Sequence, residues 1–252
     1  MTSLSIFDHL LALLLGLILP FAALGMKLAN DYLSEEESRS TAPEPLTSTD
    51  RKLALYHSNS LLQWFGLVMV VAVWIFNGRS MASLGLKWPE FQQGMLVLLL
   101  TIIFVIGYAY DTISSVLDPE AYQKLSQEWK ENLTIIPANL RELRGFFWVG
   151  ITAGICEEVL YRGFLINYLA FALEPNRFGL LMAVSLPAMV FGISHLYQGW
   201  EAVFKIVLLS LVFGALFVLT GSLLLPVVLH ILVDVVGGWL SYRVVRRGES
   251  VN

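Results

Sequence analysis

Apolar residues in this chain come in blocks long enough to cross a bilayer, and no other sequence feature limits the fold as much. About seven such blocks, each near the ~20 residues a hydrocarbon core requires, run from Ser5 to Met26, Ser60 to Phe76, Gly94 to Tyr110, Phe146 to Leu173, Phe178 to Leu196, Ala202 to Leu219 and Ser222 to Tyr242. The chain is 56% hydrophobic and only 14% charged, and the two classes are segregated rather than alternating with a globular helix or strand period. The expected fold is therefore an all-α, polytopic integral membrane helix bundle of about seven transmembrane helices. The first block lacks a basic leading region and carries Asp8 and His9 at its start, so it reads as a retained span and not as a cleaved signal.

Loop charges set the orientation. One side collects Lys27, Arg39, Arg51, Lys52, Lys124, Lys130, Arg141, Arg144, Arg243, Arg246 and Arg247, the other only Arg79, Lys87 and Arg177. The positive-inside rule then puts the N-terminus outside and the C-terminus in the cytoplasm. A net charge of −4 without a basic stripe argues against a nucleic-acid partner. The single cysteine, Cys156, excludes an intrachain disulfide framework and a Cys-rich zinc site, and in its apolar surroundings it reads as a small buried thiol.

Between the first two blocks, residues 30–58 carry Glu35-Glu36-Glu37 and Pro43-Glu44-Pro45, a composition that reads as a mobile cytoplasmic loop without chemistry. Residues 111–145 mix Leu117, Tyr122, Leu125, Trp129, Leu133, Ile136 and Leu140 with charges, as an amphipathic interfacial helix would, in a position to gate whatever opens on that side. Glu174-Pro175-Asn176-Arg177 and Thr220-Gly221-Ser222 break the chain between successive helices. Pro20, Pro187 and Pro226 mark places for kinks. The absence of an internal repeat counts against a transporter. The chain divides into an N-terminal part, 1–145, and a core of four transmembrane helices, 146–243.

Ionisable side chains inside spans are costly and functional by default. Here they are Glu157, Glu158, Arg162, His195, His230 and Asp234, all in the last four blocks. Glu158 and Arg162 are four residues apart on one helix face, as are His230 and Asp234, whereas Glu157 lies about 100° round from Glu158. Arg162 is thus expected to neutralise Glu158. Two adjacent buried carboxylates favour a raised pKa on one of them, as a water-activating base needs, and Glu157 is left free to act as base or ligand. On a helix starting near Phe146, Glu157 lies on the order of 15 Å from the cytoplasmic end, which favours a polar intramembrane cavity open to the cytoplasm. Glu157, His195 and His230 also have the ligand types for zinc, the cofactor expected on these residues, with Asp234 orienting His230 from behind. Their spacing is not the His-Glu-x-x-His helix of soluble zinc proteases, and packing by intramembrane hydrogen bonds is the bland reading of the same groups. His9, His57 and Lys205 are read as ordinary segment-end or loop residues.

Glu157-Glu158-x-x-x-Arg162, then Phe191-x-x-x-His195, then His230-x-x-x-Asp234 resembles the ordered motif set of the CPBP intramembrane protease family, also called the CAAX protease or Abi family. Arg79 to Leu86 resembles the loop that precedes the core in bacterial members. The resemblance implies a membrane metalloendopeptidase or glutamate-type peptidase that hydrolyses a peptide bond near the membrane boundary or C-terminus of a membrane-associated protein or peptide. Eukaryotic relatives remove the last three residues of prenylated CAAX proteins, and bacterial ones are linked to bacteriocin maturation or self-immunity. It further implies that Glu157 and His195 activate water, that Glu158 and Arg162 support them, and that His230 with Asp234 binds metal or stabilises the oxyanion. Many members carry Asn at the position of Asp234. Asn can donate a hydrogen bond to an oxyanion and an ionised Asp cannot, which moves Asp234 towards orienting His230. The alternative is a catalytically inactive scaffold or self-immunity protein of the same fold.

Overall fold

The computed structural model describes residues 3–18, 48–131 and 135–249. Among them the chain is helical and has no strand. The elements are α1 (Ile6–Leu13, continued by a π turn Leu14–Ile18), α2 (Ser48–Phe76), a 3₁₀ turn Met81–Leu84, α3 (Gly94–Leu117), α4 (Pro119–Glu131) and α5 (Leu140–Glu157). A π-helical stretch Glu158–Ile166 follows, then α6 (Asn167–Ala172), α7 (Arg177–Ser194), a 3₁₀ turn Leu196–Gln198, α8 (Trp200–Thr220) and α9 (Leu224–Glu249). Five of these, α2, α3, α7, α8 and α9, are long and apolar enough to cross a membrane. The protein is an all-α membrane bundle.

Several expected boundaries move for local reasons. Only Ile6–Ile18 of the first block is described, a short apolar helix, and Pro20 lies outside the described residues. Of the presumed loop 30–58, residues 30–47 also lie outside them, while the remainder already belongs to α2. The stretch 111–145 is not one amphipathic helix. It comprises the tail of α3, then α4, preceded by Asp118, whose carboxylate accepts from the Glu120 N–H at 2.9 Å, and finally the start of α5. Leu133 lies outside the described residues, and Ile136 precedes α5. Both expected breakers hold: Asn176 Oδ1 caps α7 by accepting from the Gly179 N–H at 2.8 Å, and Gly221 ends α8 at φ 61°, a left-handed conformation suited to glycine. Pro226 sits in the first turn of α9, where its missing N–H costs no helical bond.

Two compact units are built from interleaved segments. The first comprises Met1–Glu44, Gly66–Gln92 and Glu157–Pro226. Its α1 is started by a capping box between Ser5 and Asp8. Asp8 then takes both terminal nitrogens of Arg79, at 2.6 and 2.8 Å. Arg79 stacks over Trp74, whose indole N–H donates to the Ser80 carbonyl. The segment after this turn docks on the end of α8 through Leu223 N–H to Gly85 O and Glu90 N–H to Thr220 O, both at 2.9 Å.

The second unit comprises Pro45–Phe65, Gln93–Cys156 and Val227–Asn252. Here α5 meets α9 through Gly150 and Gly154, a small-xxx-small pair that brings two backbones together where lipid gives no hydrophobic drive. A Cβ at Gly154 would stand 2.5 Å from Ile231 Cγ1 and 3.1 Å from its backbone nitrogen. The start of α5 is fixed by Asn139, which accepts from the Glu142 N–H, and by Glu142 itself. The Glu142 carboxylate accepts from Lys52 Nζ and Thr49 Oγ1 at 2.7 Å each, and from the Ala138 N–H and Asn139 Nδ2 at 2.8 Å each. Burial pushes this carboxyl up, but the Ala138 N–H, Lys52 and Thr49 outweigh it and hold its pKa below the ordinary value of 4.5.

Gly154→Ala is expected to destabilise the purified protein by about 1–3 kcal/mol in thermal unfolding. Gly107→Ala in α3, where a Cβ meets nothing within 4 Å, should instead be neutral or stabilising by up to roughly 1 kcal/mol. Since the folded pKa of Glu142 is depressed, its stabilisation is present above the unfolded value and lost as pH falls through the folded one. The melting-temperature gap between wild type and Glu142→Gln should be full at pH 7 and close at pH values well below 4.5.

Candidate active site

α5 ends at Glu157 and the wider π-helical winding begins at Glu158. π turns are rare and occur often at functional sites. Every residue from Glu158 to Ile166 is buried, so this stretch is enclosed on all sides. The expected pairing survives the change of winding: Arg162 Nη1 donates to Glu158 Oε1 at 2.7 Å. Glu158 is 0% exposed and Arg162 1%. Glu157, the neighbour in sequence, is only half-buried. α5 starts at Leu140 and not near Phe146, because the Asn139 and Glu142 bonds cap it there, so Glu157 lies on the order of 25 Å along the helix.

A buried ion pair loses hydration worth several kcal/mol per ion unless other groups satisfy it. Here Arg162 Nη2 donates to Ser210 Oγ at 3.0 Å, and the guanidinium lies 4.9 Å from the Phe191 ring centroid and 5.5 Å from that of Phe213. Tyr161 packs edge-on against Phe191 at 4.9 Å.

His195 occupies the C-cap of α7 at φ −101°, ψ 15°, the sparsely populated bridge region in which active-site residues often sit. Its Nδ1 lies 2.8 Å from the Phe191 carbonyl. A carbonyl can only accept, so Nδ1 carries the proton and, in the neutral ring, Nε2 carries the lone pair. The imidazole packs on Phe191 at 4.6 Å and beside Tyr197 at 5.9 Å.

In the second unit His230 is buried and Asp234 half-buried one turn later on α9. His230 Nε2 stands 3.8 Å from Asp234 Oδ2, an ion-pair distance if the ring is protonated but longer than a hydrogen bond. Asp234 is pressed against α5, where a Cβ on Gly150 would come within 2.9 Å of the Asp234 Cβ. Tyr108 of α3 donates to the Val233 carbonyl at 3.1 Å. Among the described residues no group of three or more His, Cys, Asp or Glu side chains is placed to hold a metal ion. A surface cavity of about 460 Å³ is lined by Ala170, Glu174, Pro175, Asn176, Arg177 and Leu180, none of them a candidate. His9 and His57 are exposed, with His9 Nδ1 2.8 Å from the Tyr168 hydroxyl, and Lys205 is exposed as well.

Reading residues by type misses Ser210 and Phe213, which touch Arg162 from α8. The signal was a hydroxyl in the middle of an otherwise apolar block. Reading also misses Lys52 and Glu142, because each stands in a stretch whose composition is that of a loop or interface.

The described residues thus form a helical membrane bundle with a buried ion pair on one helix, a half-buried glutamate beside it and a histidine at the end of another helix. Residues 139–236 match the family described as Rce1-like, type II CAAX prenyl endopeptidase. This is a protease family, and the match agrees with the CPBP/CAAX resemblance carried by the motif order. No curated protein and no solved structure matches the chain.

Removing Arg162 alone strands Glu158 without water. Arg162→Met is expected to cost about 3–5 kcal/mol in thermal unfolding, and the double change Glu158→Leu with Arg162→Met should cost clearly less than the single one. A double variant no more stable than Arg162→Met would remove the ion pair as the organising contact.

Proposed function

We propose that the chain is a membrane-embedded endopeptidase that hydrolyses a peptide bond near the C-terminus or membrane boundary of a membrane-associated protein, prenylated CAAX-type proteins included. In this reading it has about seven spans, with the N-terminus outside, the C-terminus in the cytoplasm and a polar cavity open to the cytoplasm. Residues 146–243 form the catalytic core. The observation that carries the proposal is the asymmetry of two adjacent glutamates within a segment matched to an endopeptidase family. Glu158 is fully enclosed and bonded to Arg162, whereas Glu157 keeps partial exposure at the junction of two helix types.

In the proposed reaction Glu157 and His195 share the removal of a proton from water, and the hydroxide formed attacks the peptide carbonyl carbon. The Phe191 carbonyl keeps the His195 proton on Nδ1, so that Nε2 is the basic nitrogen. His230 donates to the tetrahedral oxyanion, and Asp234, one turn further along α9, orients the His230 ring. The proton held by Glu157 or His195 passes to the leaving amine as the carbon–nitrogen bond breaks. Glu157, His195 and His230 have the ligand types for zinc, which would polarise the water and the carbonyl if it were bound, but among the described residues no three such side chains are placed to hold a metal ion, and the reaction is derived without one. The inactive scaffold or immunity reading is not favoured, because the matched family is one of endopeptidases.

Purified protein incubated with host membranes should generate new peptide termini, read by mass spectrometry. Glu157→Ala should lower their rate of appearance by at least about 10²-fold at unchanged thermal stability. Full activity in that variant would overturn the proposal. Loss on chelation, restored by zinc, would make the site metal-dependent, and an unchanged rate would make it a glutamate-type peptidase.

A further inference from the structure

α8 carries none of the six motif residues, yet two of its side chains close around Arg162. The guanidinium is a rigid planar fork with five donors, so fixing it takes contacts both in its plane and on its faces. In the plane, Nη1 is held by Glu158 from its own helix and Nη2 by Ser210 Oγ at 3.0 Å from α8. The rings of Phe191, from α7, and Phe213, three residues beyond Ser210 on the same face of α8, lie against it. Ser210 and Phe213 are each 3% exposed, so water does not compete for these contacts.

Phe191 touches both ends of the arrangement. Its ring meets Arg162 at 4.9 Å and the His195 imidazole at 4.6 Å, and its carbonyl accepts the hydrogen bond from His195 Nδ1. The next residue, Gly192, leaves the space that brings α8 this close: a Cβ there would fall 2.3 Å from Val207 Cγ2 and 3.2 Å from the Val203 carbonyl oxygen.

We propose that Ser210 and Phe213 are positioning residues for the hydrolysis: they fix the Arg162 guanidinium, and through the shared Phe191 ring they fix the direction of the His195 imidazole. The proposal rests on the reading of Glu157 and His195 as the water-activating pair. It sets α8 apart from a helix that only packs. A serine that merely stabilised the bundle would change the melting temperature without changing turnover per folded molecule.

The test uses full-length protein with Ser210→Ala, Ser210→Thr and Phe213→Leu. Two readouts are taken on folded material: kcat and KM on a peptide identified from the wild-type termini, and the nitrogen resonances of ¹⁵N-histidine-labelled protein. With four histidines in the chain, the His195 signals are assigned by their loss in His195→Gln. Ser210→Ala should lower kcat by roughly tenfold to a hundredfold with KM within about twofold, as a small misplacement of a catalytic group does. It should also shift the His195 resonances while those of His9 and His57 stay in place. Ser210→Thr, which keeps the hydroxyl, should restore both. Unchanged His195 resonances in folded Ser210→Ala overturn the proposal, as does a kcat loss that Ser210→Thr does not rescue. Where Ser210→Ala does not fold, Phe213→Leu is read in the same two ways. If wild type shows no Glu157-dependent cleavage, the catalytic reading fails separately, and the His195 resonances alone then decide whether Ser210 and Phe213 set its direction.

Discussion

A guanidinium and a carboxylate held 2.7 Å apart and almost wholly out of water form the constraint around which the first compact unit is arranged. Such a pair is not self-sufficient. Each ion gives up hydration on burial, and the attraction between them repays it only when the remaining donors are met and the geometry is fixed. On the guanidinium side the surrounding elements contribute contacts: Ser210 a hydroxyl oxygen, Phe191 and Phe213 their ring faces. The π-helical winding that carries the pair is buried all round. A helix in that position has no lipid-facing side on which to place an ion cheaply, so its charges must be matched by neighbours.

Bundle geometry elsewhere follows from close backbone approach and from ion pairs near helix ends. In a bilayer lipid chains are as apolar as leucine, so helices associate through small residues and polar contacts. Gly192 and Gly214 serve this purpose between elements of the first unit, and Gly150, Gly154 and Gly238 in the second. Asp8 with Arg79 ties the start of α1 to the turn after α2 in the first unit. Lys52 with Glu142 ties the beginning of α2 to the beginning of α5 in the second. Both pairs are nearly dry, and both gain hydrogen bonds from serine, threonine, asparagine or backbone groups that meet the remaining demands of the ions.

In the proposed reaction the adjacent glutamates take different parts because their surroundings differ. Local sequence makes them equivalent, two identical side chains in successive positions of an apolar run. Their burial, however, commits Glu158 to Arg162 and leaves Glu157 with partial access to solvent. The same logic applies to His195. As a lone histidine near the end of an apolar block it is indistinct from a packing residue, but at the C-cap of α7, with Nδ1 on the Phe191 carbonyl, it has a defined tautomer and a basic Nε2. These are the properties that the proposed hydrolysis would use.

The sequence by itself determined the all-α membrane class, the approximate places of the five long apolar helices α2, α3, α7, α8 and α9, the breakers at Asn176 and Gly221, the Glu158–Arg162 pair and the order of the motifs. All of these depend on block length, on local turn chemistry or on residues four apart on one helix. Tertiary structure alone decided what meets residues across helices: that Ser210 and Phe213 enclose Arg162, that Gly150 accommodates Asp234, and that Lys52 and Glu142 are buried partners although their segments read as a loop and an interface. It also decided that the helix changes from α to π winding at Glu158. Neighbours on other helices are set by the packing of whole faces, and a side chain's exposure depends on those neighbours, so neither can be read from spacing along one chain.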